Sequence, residues 1–220
     1  DAEYAVNRVE EWSHILGTYV SYRNAKIASH VAIVNMSAAQ DCVNYDTPYC
    51  QVSGSECFAA RNERDFPMPL HFRRKQEIVW SHLDPVTWAK AFKLHADRKE
   101  NDVTKIRLNE VGDFSSRHDI LKDSYIVHGL AKIEIYTYSA SSWLDWTEAD
   151  GFTINQSNDG DYGHRRYKVV DSPEEVPDGP DSILCPYDAT DGGIQCGDCK
   201  LCINAEGPDI YVTKFAGSNQ

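Results

Sequence analysis

Residues 30–36 read His-Val-Ala-Ile-Val-Asn-Met, a short and mostly apolar run that leads directly into a loop rich in Asn, Asp, Pro, Ser and Gly. Runs of this kind are typical of strands buried inside parallel sheets. Before this run, residues 9–22 place apolar side chains at helical spacing and predict an amphipathic helix. This part of the chain therefore follows a helix with a strand, as α/β proteins do.

Helix and strand patterns continue to alternate after this run. Residues rich in β-branched and aromatic side chains predict five more strands, at 104–108, 132–138, 152–155, 166–170 and 182–184. Further helices are expected from Cys57 onward and at 71–83, 85–99, 116–128 and 141–150. Six strands in this order predict a parallel sheet, in the form of an incomplete (β/α)6 barrel. The connection at 158–165 is too short for a crossover helix, so we expect strict parallel order to fail there.

The sequence suggests one domain with a short C-terminal segment. Residues 172–181 contain three prolines and predict a loop or small boundary. We expect residues 1–181 to form the barrel-like domain, with its N-terminal helix and a loop containing three cysteines. Residues 182–220 are expected to form a segment with four cysteines that packs on the same domain. A chain of 220 residues, 41% of them hydrophobic, can bury one substantial core.

Charge and hydropathy exclude several classes of partner. The chain has 22 Lys and Arg against 34 Asp and Glu, a net charge of -12. We therefore expect no non-specific nucleic-acid binding, because a phosphate backbone requires clustered basic side chains. No apolar stretch is long enough to span a bilayer, so we expect no membrane partner. No apolar N-terminal stretch indicates export, and a cytoplasmic location is expected.

Seven cysteines carry the chemistry of this sequence, and they fall into two groups. The first group has three members and the second has four: Cys42, Cys50, Cys57; and Cys185, Cys196, Cys199, Cys202. Four thiolates complete the ligands of an iron–sulfur cluster, and a Cys-Pro such as Cys185-Pro186 often supplies one of them. Three thiolates leave one iron open to a small molecule. We therefore expect one or two [4Fe-4S] clusters.

Other interpretations of the cysteines stay open. Zinc is the alternative metal, because four-cysteine zinc sites also use Cys-x2-Cys steps, although they usually pair two separate steps rather than one run. Unligated thiols are a second alternative. Disulfides are the weakest one, because the cysteine count is odd and the chain is long for a disulfide scaffold. A cysteine hydrolase has little support, since no motif ties a histidine to a cysteine.

Polar residues near the ends of predicted strands supply candidate site residues. Ligands of a β/α barrel gather at the carboxyl ends of its strands, where the three-cysteine loop also begins. We assign catalytic roles to Glu110, Asp113 and Arg107. We assign cofactor binding to Asn109, Ser139 and Asn155. Alternatively, Glu110 and Asp113 cap the following helix.

The chain is similar to the gene-product-88 family of bacteriophage proteins. The similarity extends from about Asn24 to Cys202 and is carried by five stretches: Asn24-Ala-Lys26, Cys57-Phe-Ala, Arg107…Glu110-Val-Gly-Asp-Phe114, Tyr136-Thr-Tyr-Ser139 and the terminal Cys-Pro…Cys-Gly-Asp-Cys. The resemblance implies a phage-encoded protein in the cytoplasm of an infected host cell. It implies no settled activity.

A three-cysteine loop after the first strand of a partial barrel also resembles the radical S-adenosylmethionine (SAM) enzymes. That resemblance implies a [4Fe-4S] cluster whose fourth iron binds SAM, and an auxiliary cluster on the four C-terminal cysteines. The gaps here are Cys42-x7-Cys50-x6-Cys57 instead of the family's Cys-x3-Cys-x2-Cys. The family's Gly-Gly-Glu segment has its nearest substitute in Asn109-Glu110.

The resulting expectation is a radical-SAM-like iron–sulfur protein that cleaves SAM reductively. Its substrate, a small molecule or a host or phage macromolecule, is not specified by the sequence. The alternative is a non-enzymatic redox or interaction protein held together by an iron–sulfur cluster or by zinc.

Overall fold

A computed structural model describes residues 2–22, 27, 29–52, 54–98, 102–157 and 160–214. The Asn24-Ala-Lys26 stretch lies outside these residues. The described helices are α1 (Ala2–Tyr19), α2 (Phe58–Asp65), α3 (Pro67–His82), α4 (Pro85–Ala96), α5 (Arg117–Gly129), α6 (Pro186–Ala189) and α7 (Cys196–Cys199). The strands are β1 (Ser21–Tyr22), β2 (Val31–Val34), β3 (Lys105–Leu108), β4 (Glu134–Ser139), β5 (Thr153–Gln156), β6 (Arg165–Val170), β7 (Ser182–Leu184) and β8 (Asp209–Thr213).

The strands form one mixed but mostly parallel sheet in the order β1-β2-β3-β4-β5-β6-β8-β7. Only β1 runs antiparallel to its neighbour, β2, among the described pairs. The prediction of an α/β protein with a largely parallel sheet is confirmed, and all six predicted strands are present. β1 and β8 were not predicted from the sequence. Strand β8 lies between β6 and β7, so residues 182–214 extend the main sheet.

The expected break in parallel order between β5 and β6 is wrong. The two strands are parallel, with Asn155 opposite Arg165 and Gln156 opposite Arg166. The first residues of β6 therefore pair with the last residues of β5. Because the chain does not have to return along the whole length of β5, a short connection replaces the usual crossover helix.

The helix expected at residues 141–150 is also wrong. All of these residues are described, and they form turns. The Asp145 carboxylate accepts hydrogen bonds from the backbone N–H and the hydroxyl of Thr147, at 3.0 and 2.7 Å. The Trp146 indole N–H donates to the Ser141 carbonyl at 2.9 Å. These local side-chain bonds take the place of a helical hydrogen-bond ladder.

Side-chain caps fix the helices that cover the sheet. The Asp84 carboxylate accepts from Thr87 N at 2.9 Å, which confirms the expected N-cap of α4. Ser116 and Asp119 form a reciprocal capping box at the start of α5. None of the described helices has the length and apolarity needed to cross a membrane.

The two faces of the sheet have different partners. The main core combines one face with residues from α1, α3, α4 and α5, and its fully buried members include Trp88, Phe92, Ile106 and Ile120. On the opposite face a smaller apolar cluster joins buried residues of β2 and β4 to the C-terminal cysteine segment: Ile27, Val31, Ile33, Tyr136, Tyr138, Cys196, Cys202, Ile203. This second face is where the four-cysteine group lies.

Candidate functional site

The loop that contains the first three cysteines is held by hydrogen bonds at the carboxyl ends of several strands. Asn44, only 1% exposed, donates through its amide to the Asp113 carboxylate at 2.9 Å and to the Ser141 hydroxyl at 2.8 Å. Further along the loop, the Gln51 side chain accepts from the Val169 N–H at 2.8 Å. The loop after β2 therefore contacts the segments that follow β3 and β4, and it also reaches β6.

Asp113 is the centre of this arrangement. Its carboxylate accepts four hydrogen bonds, from the Ser139 hydroxyl at 2.6 Å, from Ala140 N at 2.7 Å, from Phe114 N at 2.8 Å and from Asn44 at 2.9 Å. Burial raises the pKa of Asp113 above its ordinary value, and these four donors oppose that rise. The donors come from three separate parts of the chain, so Asp113 joins the cysteine loop to the ends of β3 and β4.

The three thiols in this loop lie close enough for their charges to interact. Burial raises the pKa of Cys42 to about 12, and the charges of Asp113, Cys50 and Cys57 raise it as well, while a backbone N–H at Asn44 lowers it. Burial also raises the pKa of Cys50, with further contributions from Asp113 and Cys57. Thiols held together in this protonated form are poor nucleophiles, and a bound metal cation is what would deprotonate them.

The start of the cysteine loop rests on buried polar contacts that the sequence analysis missed. The side chain of Glu63, fully buried, accepts from Ala39 N at 3.0 Å and from Arg73 Nη1 at 2.8 Å. The Asn35 side chain accepts from Val111 N at 2.7 Å. Gly112, at φ +88°, passes so close to Ser37 that an added Cβ would lie 2.6 Å from its backbone nitrogen. This part of the chain requires a glycine at that position.

All four C-terminal cysteines line a single cavity on the second face of the sheet. The cavity has a volume of about 40 Å³, and its other polar or aromatic walls are formed by Arg107, Tyr136, Tyr138, Tyr187 and Lys200. Burial raises the pKa of Cys202 to about 11; the Tyr138 hydroxyl and Arg107 lower it, and the charges of Cys185 and Cys196 raise it. Three of the four thiols therefore interact across the cavity, and the fourth, Cys199, shares its wall.

Arg107 and three tyrosines form an ordered group beside Cys202. The guanidinium carbon of Arg107 lies 4.8 Å from the centre of the Tyr138 ring. The rings of Tyr138 and Tyr167 meet edge to face at 4.8 Å, and those of Tyr136 and Tyr138 at 6.2 Å. Glu110 stands 4.0 Å from the Arg107 guanidinium as a loose ion pair. The structure thus places Arg107 and Glu110 with the four-cysteine group.

The backbone of the cysteine segment is held by side chains of β5 and β6. The Asn155 amide donates to the Cys202 carbonyl at 2.9 Å and to the Thr137 carbonyl at 3.0 Å. The Thr153 hydroxyl donates to the Ile203 carbonyl at 2.7 Å. Arg165, 3% exposed, donates to the carbonyl of Glu206 at 2.9 Å and also to that of Asn204. Asn155 therefore contacts the polypeptide that carries Cys202.

Several buried polar atoms around these groups have no hydrogen-bond partner within the described part of the chain. They are Arg107 Nε, both side-chain polar atoms of Asn109, Asn155 Oδ1, and Arg165 Nε and Nη1. Asn109 is 3% exposed and adopts the left-handed conformation at φ +53°, directly after β3. Unpaired buried donors and acceptors are rare in native proteins, and they mark positions where a bound group can complete the hydrogen bonding.

The donor chemistry of both groups suits soft metals, but the described residues form no compact single-ion site. Among the described residues, no three His, Cys, Asp or Glu side chains are arranged to hold one metal ion. A zinc ion bound by four thiolates at about 2.3 Å would bring the sulfurs to within about 3.8 Å of one another. The four cysteines line a cavity together with Arg107, whose buried Nε has no partner among the described residues and suits an anionic group.

The structure divides the candidate residues between the two cysteine groups. Asp113 and Ser139 lie with Cys42, Cys50 and Cys57, whereas Arg107, Glu110 and Asn155 lie with the C-terminal four, and Asn109 follows β3. Four further residues at the two groups were not predicted from the sequence: Asn44, Arg165, Tyr167 and Thr153. Only Arg165 had a signal in the sequence, as part of the short basic run His164-Arg165-Arg166. Comparison with protein-family models, curated proteins and solved structures finds no match to this chain.

Proposed function

We propose that the protein is a radical-SAM-like iron–sulfur protein with two thiolate centres. The first centre uses Cys42, Cys50 and Cys57 and leaves one iron open. The second uses Cys185, Cys196, Cys199 and Cys202 as an auxiliary cluster. The observation that supports the proposal is that the seven thiols lie in two separate places: three on one loop at the carboxyl ends of the strands, and four around one cavity.

Electrostatic coupling among the thiols supports two centres. The pKa of Cys42 responds to Cys50 and Cys57, and the pKa of Cys202 responds to Cys185 and Cys196. Burial and this mutual repulsion of the ionised forms keep the thiols protonated, and a bound metal cation would allow several of them to ionise together. A multi-iron cluster would hold four thiolates at its separate corners, and the single run of Cys196, Cys199 and Cys202 with a distal Cys185-Pro186 favours it over zinc.

A barrel-like curvature of the sheet also belongs to the proposal. In a flat sheet, β2 and β6 would lie about 19 Å apart, with three strands between them. The loop that leaves β2 nevertheless contacts β6 through Gln51 and Val169. Lys214, directly after β8, also lies 3.4 Å from Glu56 near the end of the loop. A curved sheet whose strand ends surround the three-cysteine loop accounts for these contacts.

Residue roles follow from this geometry. Asp113, with four hydrogen bonds, acts as a positioning residue for the cysteine loop. Asn109 offers both an unpaired donor and an unpaired acceptor, which suits a polar part of SAM such as its amino acid group or its adenine. A cluster held by Cys42, Cys50 and Cys57 would pass one electron from an external reductant to SAM, whose carbon–sulfur bond would break to give methionine and a 5′-deoxyadenosyl radical. The substrate that loses a hydrogen atom to this radical is not assigned.

The test begins with anaerobic purification and measurement of iron, sulfide and zinc per chain. Iron and sulfide in amounts that fill two clusters are expected. Cys50→Ala should remove only the iron and sulfide bound by the three-cysteine group. Cys199→Ala should remove only those bound by the four-cysteine group, because the two groups are held by different parts of the fold. Wild-type protein reduced with dithionite in the presence of SAM should form 5′-deoxyadenosine, and Cys50→Ala should not.

Three outcomes separate the alternatives. Stoichiometric zinc without iron would indicate a zinc-stapled interaction protein. Iron–sulfur clusters with no binding of SAM by calorimetry would indicate a redox protein without SAM chemistry. Loss of all metal after either single substitution would show that the two cysteine groups share one centre, and the two-centre proposal would then be wrong.

A further inference from the structure

We propose that Arg107 and Tyr138 stabilise negative charge on a thiolate centre in the four-cysteine cavity, and that Glu110 opposes this effect by pairing with Arg107. In the iron–sulfur protein proposed above, these three side chains would set the reduction potential of the auxiliary cluster. The inference rests on that proposed function for the identity of the metal but not for the direction of the effect.

The structure places the Tyr138 hydroxyl and the positive charge of Arg107 beside Cys202. The Tyr138 ring is held between the Tyr136 and Tyr167 rings, and its hydroxyl acts as a donor toward the Cys202 sulfur. Arg107 lies over the Tyr138 ring and is about one fifth exposed. Its Nε is buried and has no partner among the described residues. Packing therefore holds the Arg107 cation and the Tyr138 hydroxyl near the same sulfur, that of Cys202.

The sign of the effect follows from charge. Metal ligation deprotonates the thiols, and reduction of a cluster then adds one more negative charge. Hydrogen bonds and positive charge near the sulfurs favour the more negative state, so they raise the reduction potential of a cluster. The same side chains also favour a zinc centre with four thiolates, because that centre carries net negative charge. Glu110 reduces the positive field of Arg107 and acts in the opposite direction.

Four variants separate this role from simple packing. Tyr138→Phe keeps the ring and removes only the hydroxyl. Arg107→Gln removes the positive charge, and Glu110→Gln removes the negative charge that partly neutralises it. Tyr136→Phe is the matched control, because this tyrosine lines the same cavity, whereas the hydrogen bond that lowers the pKa of Cys202 comes from Tyr138. All are made in a Cys50→Ala chain, so that only the four-cysteine centre is measured.

The variants are loaded anaerobically with iron and sulfide, and midpoint potentials are measured by electron paramagnetic resonance after metal content has been determined. Tyr138→Phe and Arg107→Gln should each lower the equilibrium constant for one-electron reduction by about tenfold, which is about 59 mV. Glu110→Gln should shift the potential upward, and Tyr136→Phe should leave it unchanged. If the protein binds zinc instead, competition with a chelator should show about tenfold weaker zinc binding for the first two variants and tighter binding for Glu110→Gln.

The outcomes distinguish this inference from the proposed function. Binding of zinc without iron contradicts the proposed function, while the zinc competition still decides the role of Arg107 and Tyr138. The inference would be overturned if fully loaded Tyr138→Phe and Arg107→Gln kept an equilibrium constant for one-electron reduction, or a zinc affinity, within twofold of the parent. If either variant fails to fold, Glu110→Gln still tests the proposal, because an unchanged or downward shift in that variant contradicts it.

Discussion

Asp123 should make the protein less stable as the pH rises. This side chain lies on α5 and is fully buried, and neither carboxyl oxygen has a hydrogen-bond partner within the described residues. Burial, followed by the charge of Asp119, raises the pKa of Asp123 well above its ordinary value. The native protein therefore keeps this carboxyl protonated at pH values where the unfolded chain has released the proton.

The direction and size of the effect follow from this difference in proton binding. Because the folded-state pKa is raised, stability is highest below the unfolded pKa of about 3.9 and decreases as the pH rises toward the native pKa. The loss is about 1.4 kcal/mol for each pH unit in that window. Asp123→Asn keeps the shape of the side chain but cannot take up this proton. The variant should therefore gain about 1.4 kcal/mol per pH unit relative to the wild type.

Urea unfolding followed by circular dichroism measures this gain. The free energy of unfolding is determined for both proteins at intervals from about pH 4 to about pH 7. The dependence of this free energy on urea concentration should have the same slope in both proteins. Asp178→Asn, at an exposed carboxyl, is the matched control and should leave the pH dependence unchanged. Stability curves for wild type and Asp123→Asn that stay parallel over this whole range would refute the assignment of a buried protonated carboxyl.

Three further substitutions test other parts of the structure. Asn44→Ala removes two buried hydrogen bonds from the first cysteine loop and should reduce metal bound at that group, measured as iron per chain, while the four-cysteine group keeps its metal. Gly112→Ala should lower the free energy of unfolding by at least about 1 kcal/mol, because the glycine has a positive φ and an added Cβ would contact Ser37; thermal melting measures this. Arg73→Met should cost about 3–5 kcal/mol in urea unfolding by leaving Glu63 buried without its cation, and adding Glu63→Gln should recover part of the loss.

The parts of the fold that depend on local pattern could be predicted from sequence. All six predicted strands are present, wholly buried in β2 and β5 and only half-buried in β7, and Asp84 caps α4 as its position before Pro85 suggested. β1 has only two residues, too few for a pattern. The register of β5 and β6 could not be predicted, since a short connection between parallel strands requires a stagger that only tertiary pairing sets.

The false helix at 141–150 shows how a local pattern can mislead. Trp143 and Trp146 are three residues apart, as on one face of a helix, but only Trp146 is buried; Trp143 is 44% exposed. The Asp145 side chain bonds to the backbone of Thr147, and this bond favours a turn. The spacing of aromatic residues is therefore a weaker signal than the side-chain hydrogen bonds available to Asp, Ser and Thr.

The candidate site was predictable in its residue types but not in its partners. Cysteines and polar residues at strand ends were visible in the sequence. The contacts that organise them join residues far apart, such as Asn44 with Asp113 and Arg107 with Tyr138. No local pattern specifies these pairs, because each depends on which strands become neighbours. For the same reason, the placement of Arg107 and Glu110 beside the C-terminal cysteines could not be read from the sequence.

The two cysteine groups are held by different kinds of contact, and this difference predicts their independence. The first group lies on a loop whose position depends on side-chain hydrogen bonds that meet at Asp113. The second lies on a segment whose backbone carbonyls are bound by Thr153, Asn155 and Arg165 from the sheet itself. The residues that hold the first group take no part in these bonds to the second group. Substitutions at Asp113 should therefore disturb the first group while the second keeps its place on the sheet, since interactions that share no partners are close to additive.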